Sequence, residues 1–294
     1  MFRTLYVAAG ERLSVSNNWL VIETEGVFKK VPIDDIQTLI LDNIHACLSV
    51  YTLQSLAKHD VNVVLCDEKH LPCCSLLALN QHYRPYGVLK KQMALTQEFK
   101  DLLWQKIVKV KIENQNSALK LRCVPQEVTD RMQQLASEVL LGDIGNREGI
   151  AAKMFFRNFY GYNFLRFEED VINAALNFGY AIIRSAVARS LCAYGYNCCL
   201  GIHHINENNA FNLADDFMEP LRPLVDLWVF RHNDELVDAL TKSNRVGLAN
   251  IINDEVIMVG KMMKLYNAID KYVASFTTAI DNADKNKLLL PYLE

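Results

Sequence analysis

LPCCSLLALNQHYRPYGV, residues 71–88, is the stretch on which the fold turns. Pro72, Pro85 and Gly87 punctuate it, and it reads as a linker because the character of the chain differs on its two sides. Before it, apolar runs are short and strand-like. Trp19-Leu20-Val21-Ile22 is compact, Val27 to Ile33 follows a turn signal at Gly26, and Ile36 to Leu41 alternates weakly. Tyr51 to Lys58 has helical spacing, with Leu53, Leu56 and Ala57 on one face. Val61 to Cys66 is a continuous apolar run, as in a strand buried on both faces. After it, helical periodicity takes over. Phe99 to Cys123 keeps it through Leu102, Leu103, Ile107, Val110 and Leu119, and further helices are expected from Pro125 to about Leu141, over Asn146–Phe156 and over Glu168–Tyr194. Beyond these, Leu224–Phe230, Asp234–Leu240, Leu248–Tyr266 and Ala268–Asp281 also read as helices. The expected architecture is α+β: a small β-rich domain over 1–70, a linker over 71–88, and a larger all-α domain over 89–294.

Composition sets the outer limits. The 294 residues are 51% hydrophobic and 22% charged, enough for a sizeable core. No stretch approaches the ~20 uninterrupted apolar residues of a membrane span, and MFRTLYVAAGERL at the start lacks a secretion signal, so a cytoplasmic location without membrane partners is expected. None of the eight cysteines stands in a CxxC spacing, which argues for reduced, mostly buried thiols rather than a structural zinc site. The net charge of −3 does not advertise nucleic-acid binding. Its distribution says more: Leu89 to Arg122 holds 8 Lys+Arg against 3 acids. Lysines 106, 109 and 111 in that stretch suit either a phosphate backbone or an ordinary solvated helix face.

The densest chemistry runs from Gly201 to Asp226, GIHHINENNAFNLADDFMEPLRPLVD, with His203, His204, Glu207, Asp215, Asp216 and Glu219 inside 17 positions. Imidazole with carboxylates suits Mg²⁺ or Mn²⁺ better than zinc. Asp216 and Glu219 lie three apart, so a helix would set both on one face, although Pro220 fits only a first turn. Spacing alone fits equally an acidic helix start with Asp215 or Asp216 as N-cap. Glu148 follows a capping Asn146 and is either a ligand or simply a first-turn Glu.

These residues together resemble the CRISPR-associated integrase family, the catalytic subunit of spacer acquisition. That family carries Gly-x-x-His, then about a dozen residues, then Asp-Leu-Met-Glu and Arg-Pro. Here Gly201 precedes His204, and Glu219 closes Asp216-Phe217-Met218-Glu219 ahead of Arg222-Pro223. The family's Glu before Gly-x-x-Ala matches Glu148 before Gly149-Ile150-Ala151-Ala152. Val31-Pro32-Ile33-Asp34-Asp35-Ile36, Lys111-Ile112-Glu113-Asn114-Gln115 and Asn173-Ala174-Ala175-Leu176-Asn177-Phe178-Gly179-Tyr180 resemble the form associated with type II systems. Phe217 stands where Leu is usual. The resemblance implies a β-sandwich-like N-terminal domain and an α-helical catalytic domain. It also implies a metal-dependent DNA endonuclease and integrase, with Glu148, His204 and Glu219 as catalytic metal ligands for Mg²⁺ or Mn²⁺. His203 would have a supporting role, and Asp216 would steady a ligand. The implied partners are double-stranded DNA (protospacer and CRISPR repeat), a second copy in a homodimer, the small companion adaptation subunit and type II effector or adaptation proteins. A stand-alone nuclease for branched DNA would use the same residues.

Overall fold

The computed structural model describes residues 3–9, 12–76 and 82–293. Its first strands are β1 (Arg3–Val7), β2 (Arg12–Ser16), β3 (Trp19–Thr24), β4 (Val27–Pro32), β5 (Ile36–Leu41) and β6 (Cys47–Leu48). Two-residue turns join β2 to β3 at Asn17-Asn18 (φ 50° and 62°) and β3 to β4 at Glu25-Gly26 (φ 51° and 74°). Left-handed backbone at both turn positions matches the twist of a hairpin. Helix α1 (Val50–Lys58) is capped by Ser49, whose hydroxyl accepts the Thr52 N–H at 3.1 Å. It carries the chain from β5 across to the parallel strand β7 (Asn62–Cys66), and β8 (Pro72–Leu76) then pairs antiparallel to β7.

The strands form two sheets, ordered β1-β5-β7-β8 and β4-β3-β2-β6. In the first, Leu5 stands opposite Leu39, and Leu39 opposite Val63. Alternation along these strands sends side chains to two different cores. Leu39, Leu41 and Val63 join Leu13, Leu20, Ile33 and Leu56 between the sheets, while Ile40, Val64 and Cys66 join the core of the helical region. Strand β7, apolar apart from Asn62, is therefore covered on both faces, as the run over Val61–Cys66 predicts.

The segment expected as linker holds more structure than its prolines suggest. Pro72 begins β8 at the edge of the sheet, where a missing N–H breaks no ladder. Pro85 opens α2 (Pro85–Met93), a first-turn position that suits it. Residues 77–81 of that segment lie outside the described residues.

The rest of the chain is mostly helical: α3 (Gln97–Leu121), α4 (Gln126–Ser137), α5 (Arg147–Tyr160), α6 (Val171–Ala193), α7 (Asn212–Met218), α8 (Arg222–Arg231), α9 (Lys242–Ala249) and, after a hairpin of β9 (Glu255–Met258) and β10 (Lys261–Lys264), α10 (Leu265–Asn282). That hairpin replaces the helix expected over Leu248–Tyr266. Its turn is Val259-Gly260 with φ of 52° and 69°, a two-residue hairpin turn with Val where Asn, Asp or Gly is usual. Asp234–Leu240 is also not a helix. After one 3-10 turn the chain bends to bury Leu236, and the Leu240 carbonyl accepts from Arg245 Nη1 at 2.6 Å.

Helix α6 has the length and mean hydropathy (1.3) of a membrane span, with 67% of its apolar window buried inside the protein. It packs against β7 and β8 on one side and α7, α8, α9 and α10 on others. Polar ties cross the same boundary. Asn62 Nδ2 donates to Ser185 Oγ at 3.0 Å, and the buried Asp42 accepts from Tyr6, from His70 at 2.7 Å and from Arg245 at 3.1 Å.

Candidate active site

Four segments meet beside the middle of α3. The first is α3 itself, whose buried stripe of Leu103, Ile107 and Leu119 includes a charged residue, Lys111. The second is the start of α5. Asn146, in left-handed backbone (φ 47°), caps it by accepting the Gly149 N–H, and Asp143 accepts the Arg147 and Glu148 N–H groups at 2.8 and 3.0 Å. This rigid first turn sets Glu148, one-third exposed, facing α3: Lys111 Nζ donates to Glu148 Oε1 at 2.5 Å.

The third segment is the turn after α7. Pro220 ends the α-helix, and Glu219–Leu221 forms a 3-10 turn before Pro223 opens α8. Neither Asp215 nor Asp216 is the N-cap of α7; both lie inside the helix, after Phe211. Asn114 on α3 clamps the turn, donating from Nδ2 to the Pro220 carbonyl at 2.7 Å and to the Pro291 carbonyl at 3.1 Å while accepting the Leu293 N–H at 3.0 Å. Glu219 is buried, with Lys111 Nζ on Oε2 and Arg222 Nε on Oε1 at 2.7 Å. Burial alone would push its carboxyl up, but Arg222 and Lys111 outweigh that and hold it down at about 2. The same carboxylates keep the Lys111 ammonium above its ordinary value although burial opposes the charge. Arg222 lies over the Tyr180 ring, 4.7 Å from its centroid, and Tyr180 with Tyr160 donates to the buried Asp226.

The fourth segment, Gly201 to His204, wraps around Asp216. One fully buried carboxylate accepts the backbone N–H groups of Ile202 (2.5 Å), His203 (3.1 Å) and His204 (3.1 Å), and the His204 ring through Nδ1 (2.7 Å). Gly201 is required for this wrapping, since a Cβ there would stand 2.2 Å from the His204 carbonyl oxygen and 2.9 Å from Asp216 Oδ2. The hydrogen bond to Asp216 raises the His204 imidazole above its ordinary value, against the effect of burial. With Nδ1 engaged, Nε2 is the nitrogen left for a ligand role. His203 stacks flat on Trp104, centroids 4.2 Å apart at 2°, and Trp104 also meets the His204 ring edge-on.

The structure thus brings Glu148 and Glu219 onto one ammonium and fixes His204 on Asp216, within range of the Glu219 charge. Among the described residues no three His, Cys, Asp or Glu side chains converge closely enough to hold an ion as they stand; between the two carboxylates lies Lys111. Sequence reasoning considered Lys111 only as a phosphate contact or solvated residue, and missed its place between the two carboxylates, Trp104 and the role of Arg222. The available signal was Lys111 recurring at i, i+4 and i, i+8 from Ile107 and Leu103, on an apolar stripe. Arg222 also lines a cavity of about 320 Å³ with Arg166, Asn177, Tyr180, Arg184 and Asp215.

The family model described as CRISPR associated protein Cas1 matches residues 5–242. A CRISPR-associated endonuclease Cas1 from Neisseria meningitidis serogroup C (strain 8013) is 37% identical over 292 residues, 99% of this chain and 96% of its own. Two solved structures share the fold. One, of a Cas6-RT-Cas1–Cas2 complex, has a TM-score of 0.74 at 18% identity, covering 97% of this chain and 36% of that one. The other, of a casposase bound to its integration product, has a TM-score of 0.72 at 18% identity, covering 97% and 93%. A β-sheet region followed by a mostly helical body is the architecture shared with these solved structures. The chain belongs to the Cas1 family.

Proposed function

We propose that the chain is a metal-dependent DNA endonuclease and integrase that inserts short foreign fragments into a CRISPR array, by attack of a 3′-hydroxyl on repeat phosphodiesters. The observation that carries this reading is the meeting of Glu148 and Glu219, from separate elements, at the buried Lys111 ammonium, with the His204 imidazole oriented by Asp216, three residues before Glu219. Oxygen donors with a single nitrogen fit Mg²⁺ or Mn²⁺, so Glu148, His204 and Glu219 would hold the ion. When bound, that ion supplies charge stabilisation for the phosphodiester and activation of the attacking hydroxyl.

The protein's own groups do the rest. Asp216 keeps the His204 ring oriented and Nδ1 occupied. Arg222, braced on Tyr180, holds Glu219 and presents a guanidinium to the adjoining cavity, where Arg166 and Arg184 add positive charge suited to a phosphate backbone. The relative named an endonuclease, the Cas1–Cas2 assembly and the casposase on its integration product support DNA as substrate and a small companion subunit as partner. The type II association is carried by the resemblance of the Lys111–Gln115 and Asn173–Tyr180 stretches. We assign assembly, including a homodimer and the companion surface, to residues 1–70, joined through 71–88 to a catalytic region over 89–294. The ligand set falls wholly in the last of these.

The test is a half-site integration assay with the purified chain, its companion subunit, a short duplex with free 3′-hydroxyls and a repeat-bearing plasmid. Strand transfer that requires Mg²⁺ or Mn²⁺ and stops with chelator is expected. Cleavage without joining would favour a stand-alone nuclease, and full activity in chelator would sink the metal mechanism.

A further inference from the structure

The ammonium between the two carboxylates occupies the oxygens that a divalent ion would need. Lys111 Nζ takes Glu148 Oε1 and Glu219 Oε2, and its side chain is only 7% exposed. Glu219 Oε1 is taken by Arg222. The two cations are held differently. Arg222 is planar, rigid in its donor geometry and stacked on Tyr180, whereas Lys111 is a point charge on a flexible four-carbon stem. A dication and an ammonium cannot share the same pair of oxygens, because at contact distance in a buried site their repulsion far exceeds thermal energy. Of the two, only the lysine can withdraw without dismantling the support of Glu219.

We propose that Lys111 is a resident counter-cation, a positioning residue that holds Glu148 and Glu219 together and yields its place when a divalent ion binds. This rests on the reading of the pair as metal ligands. It implies that the site is preformed rather than assembled by the ion, and that metal occupancy is set by a competition built into α3. Two carboxylates facing each other without any cation would repel, so the lysine removes that cost before the metal arrives.

The experiment is Mn²⁺ binding by titration calorimetry on the full chain, comparing the native protein with Lys111→Met and His204→Ala. Removing an internal competitor should tighten Mn²⁺ binding roughly tenfold or more, and His204→Ala should weaken it. Folded Lys111→Met that binds Mn²⁺ no better than the native chain overturns the proposal. Mn²⁺ binding indifferent to His204→Ala overturns the metal-site reading itself, and the inference with it. Should Lys111→Met not fold without metal, labelling of the native chain with an amine-reactive reagent decides. Lys111 should resist labelling without Mn²⁺ and become several-fold more reactive with it, against Lys109 as internal reference, and an unchanged ratio refutes the exchange.

Discussion

Asp216 and His204 are joined twice, through the backbone N–H at 3.1 Å and through ring Nδ1 at 2.7 Å, so one carboxylate fixes both the loop and the tautomer of its histidine. Partners of this kind typically contribute ~10–100-fold to metal affinity or activity. Asp216→Asn, which keeps the shape but weakens the acceptor, should lower Mn²⁺ affinity and strand transfer by about that factor. Titration calorimetry and the half-site assay would measure it. Native-level activity in Asp216→Asn would remove Asp216 from the mechanism.

The three proposed ligands should separate by stability. Glu148→Ala and His204→Ala should abolish strand transfer with little change in melting temperature, since both side chains are about one-third or more exposed. Glu219→Ala should also lose activity but cost about 3–5 kcal/mol, because Lys111 and Arg222 would face a buried site with one counter-charge gone. His203→Ala should be milder, losing only the stack on Trp104. Thermal melts beside the integration assay test the split. A dead His203→Ala with an active His204→Ala would reverse the assignment.

Asp226 gives a pH dependence of definite sign. Burial pushes its carboxyl up to about 6, although hydrogen bonds from Tyr160 and Tyr180 oppose this. Between the unfolded value near ~4 and about 6 the folded chain keeps a proton that the unfolded chain releases. The Asp226 contribution to stability therefore falls as pH rises through that window, by roughly 3 kcal/mol in all. Glu219 has the opposite sign: its carboxyl is held down at about 2, so its stabilisation is present above the unfolded value and is lost as pH falls. Melting Asp226→Asn and the native chain from pH 4 to 7 should show the variant gaining stability relative to the native chain as pH rises. A constant difference contradicts the assignment.

Lysines 106, 109 and 111, considered as phosphate contacts from sequence, divide in the structure. Lys106 Nζ donates to the carbonyls of Lys285 (3.2 Å), Asn286 (3.5 Å) and Leu288 (2.6 Å), and Lys111 is buried, while Lys109 is exposed beside Glu113. Lys106→Ala should thus cost about 2 kcal/mol of stability and leave the salt dependence of DNA binding unchanged. A log-log salt slope flattened by about 0.9 in Lys106→Ala would restore it as a phosphate contact.

The same lysines show where a sequence stops being legible. Helical spacing marks α3, but the partners that decide the orientation of Lys111 lie 37 and 108 residues away, beyond any local pattern. The triad of Glu148, His204 and Glu219 was named from resemblance, because spacing alone suited a helix cap as well as a ligand. Strand β7 was readable because burial on both faces leaves a continuous apolar run. Strand β8 was hidden because Pro72 sits at an edge where proline is tolerated, and the β9–β10 hairpin because Val259 is an unusual residue for left-handed backbone.

Strands β5 and β7 face two cores, and this has a consequence for how the chain is made. Ile40, Val64 and Cys66 leave the ribosome long before the helices that cover them: Asn62 meets Ser185 123 residues later, and Asp42 meets Arg245 203 residues later. Contacts of such long range form slowly, so a nascent chain carries an uncovered apolar sheet face through most of its synthesis. That interval, rather than the finished protein, is when this sequence is most open to chaperones and to aggregation, and substitutions at Ile40 or Val64 should show first in the yield of folded protein.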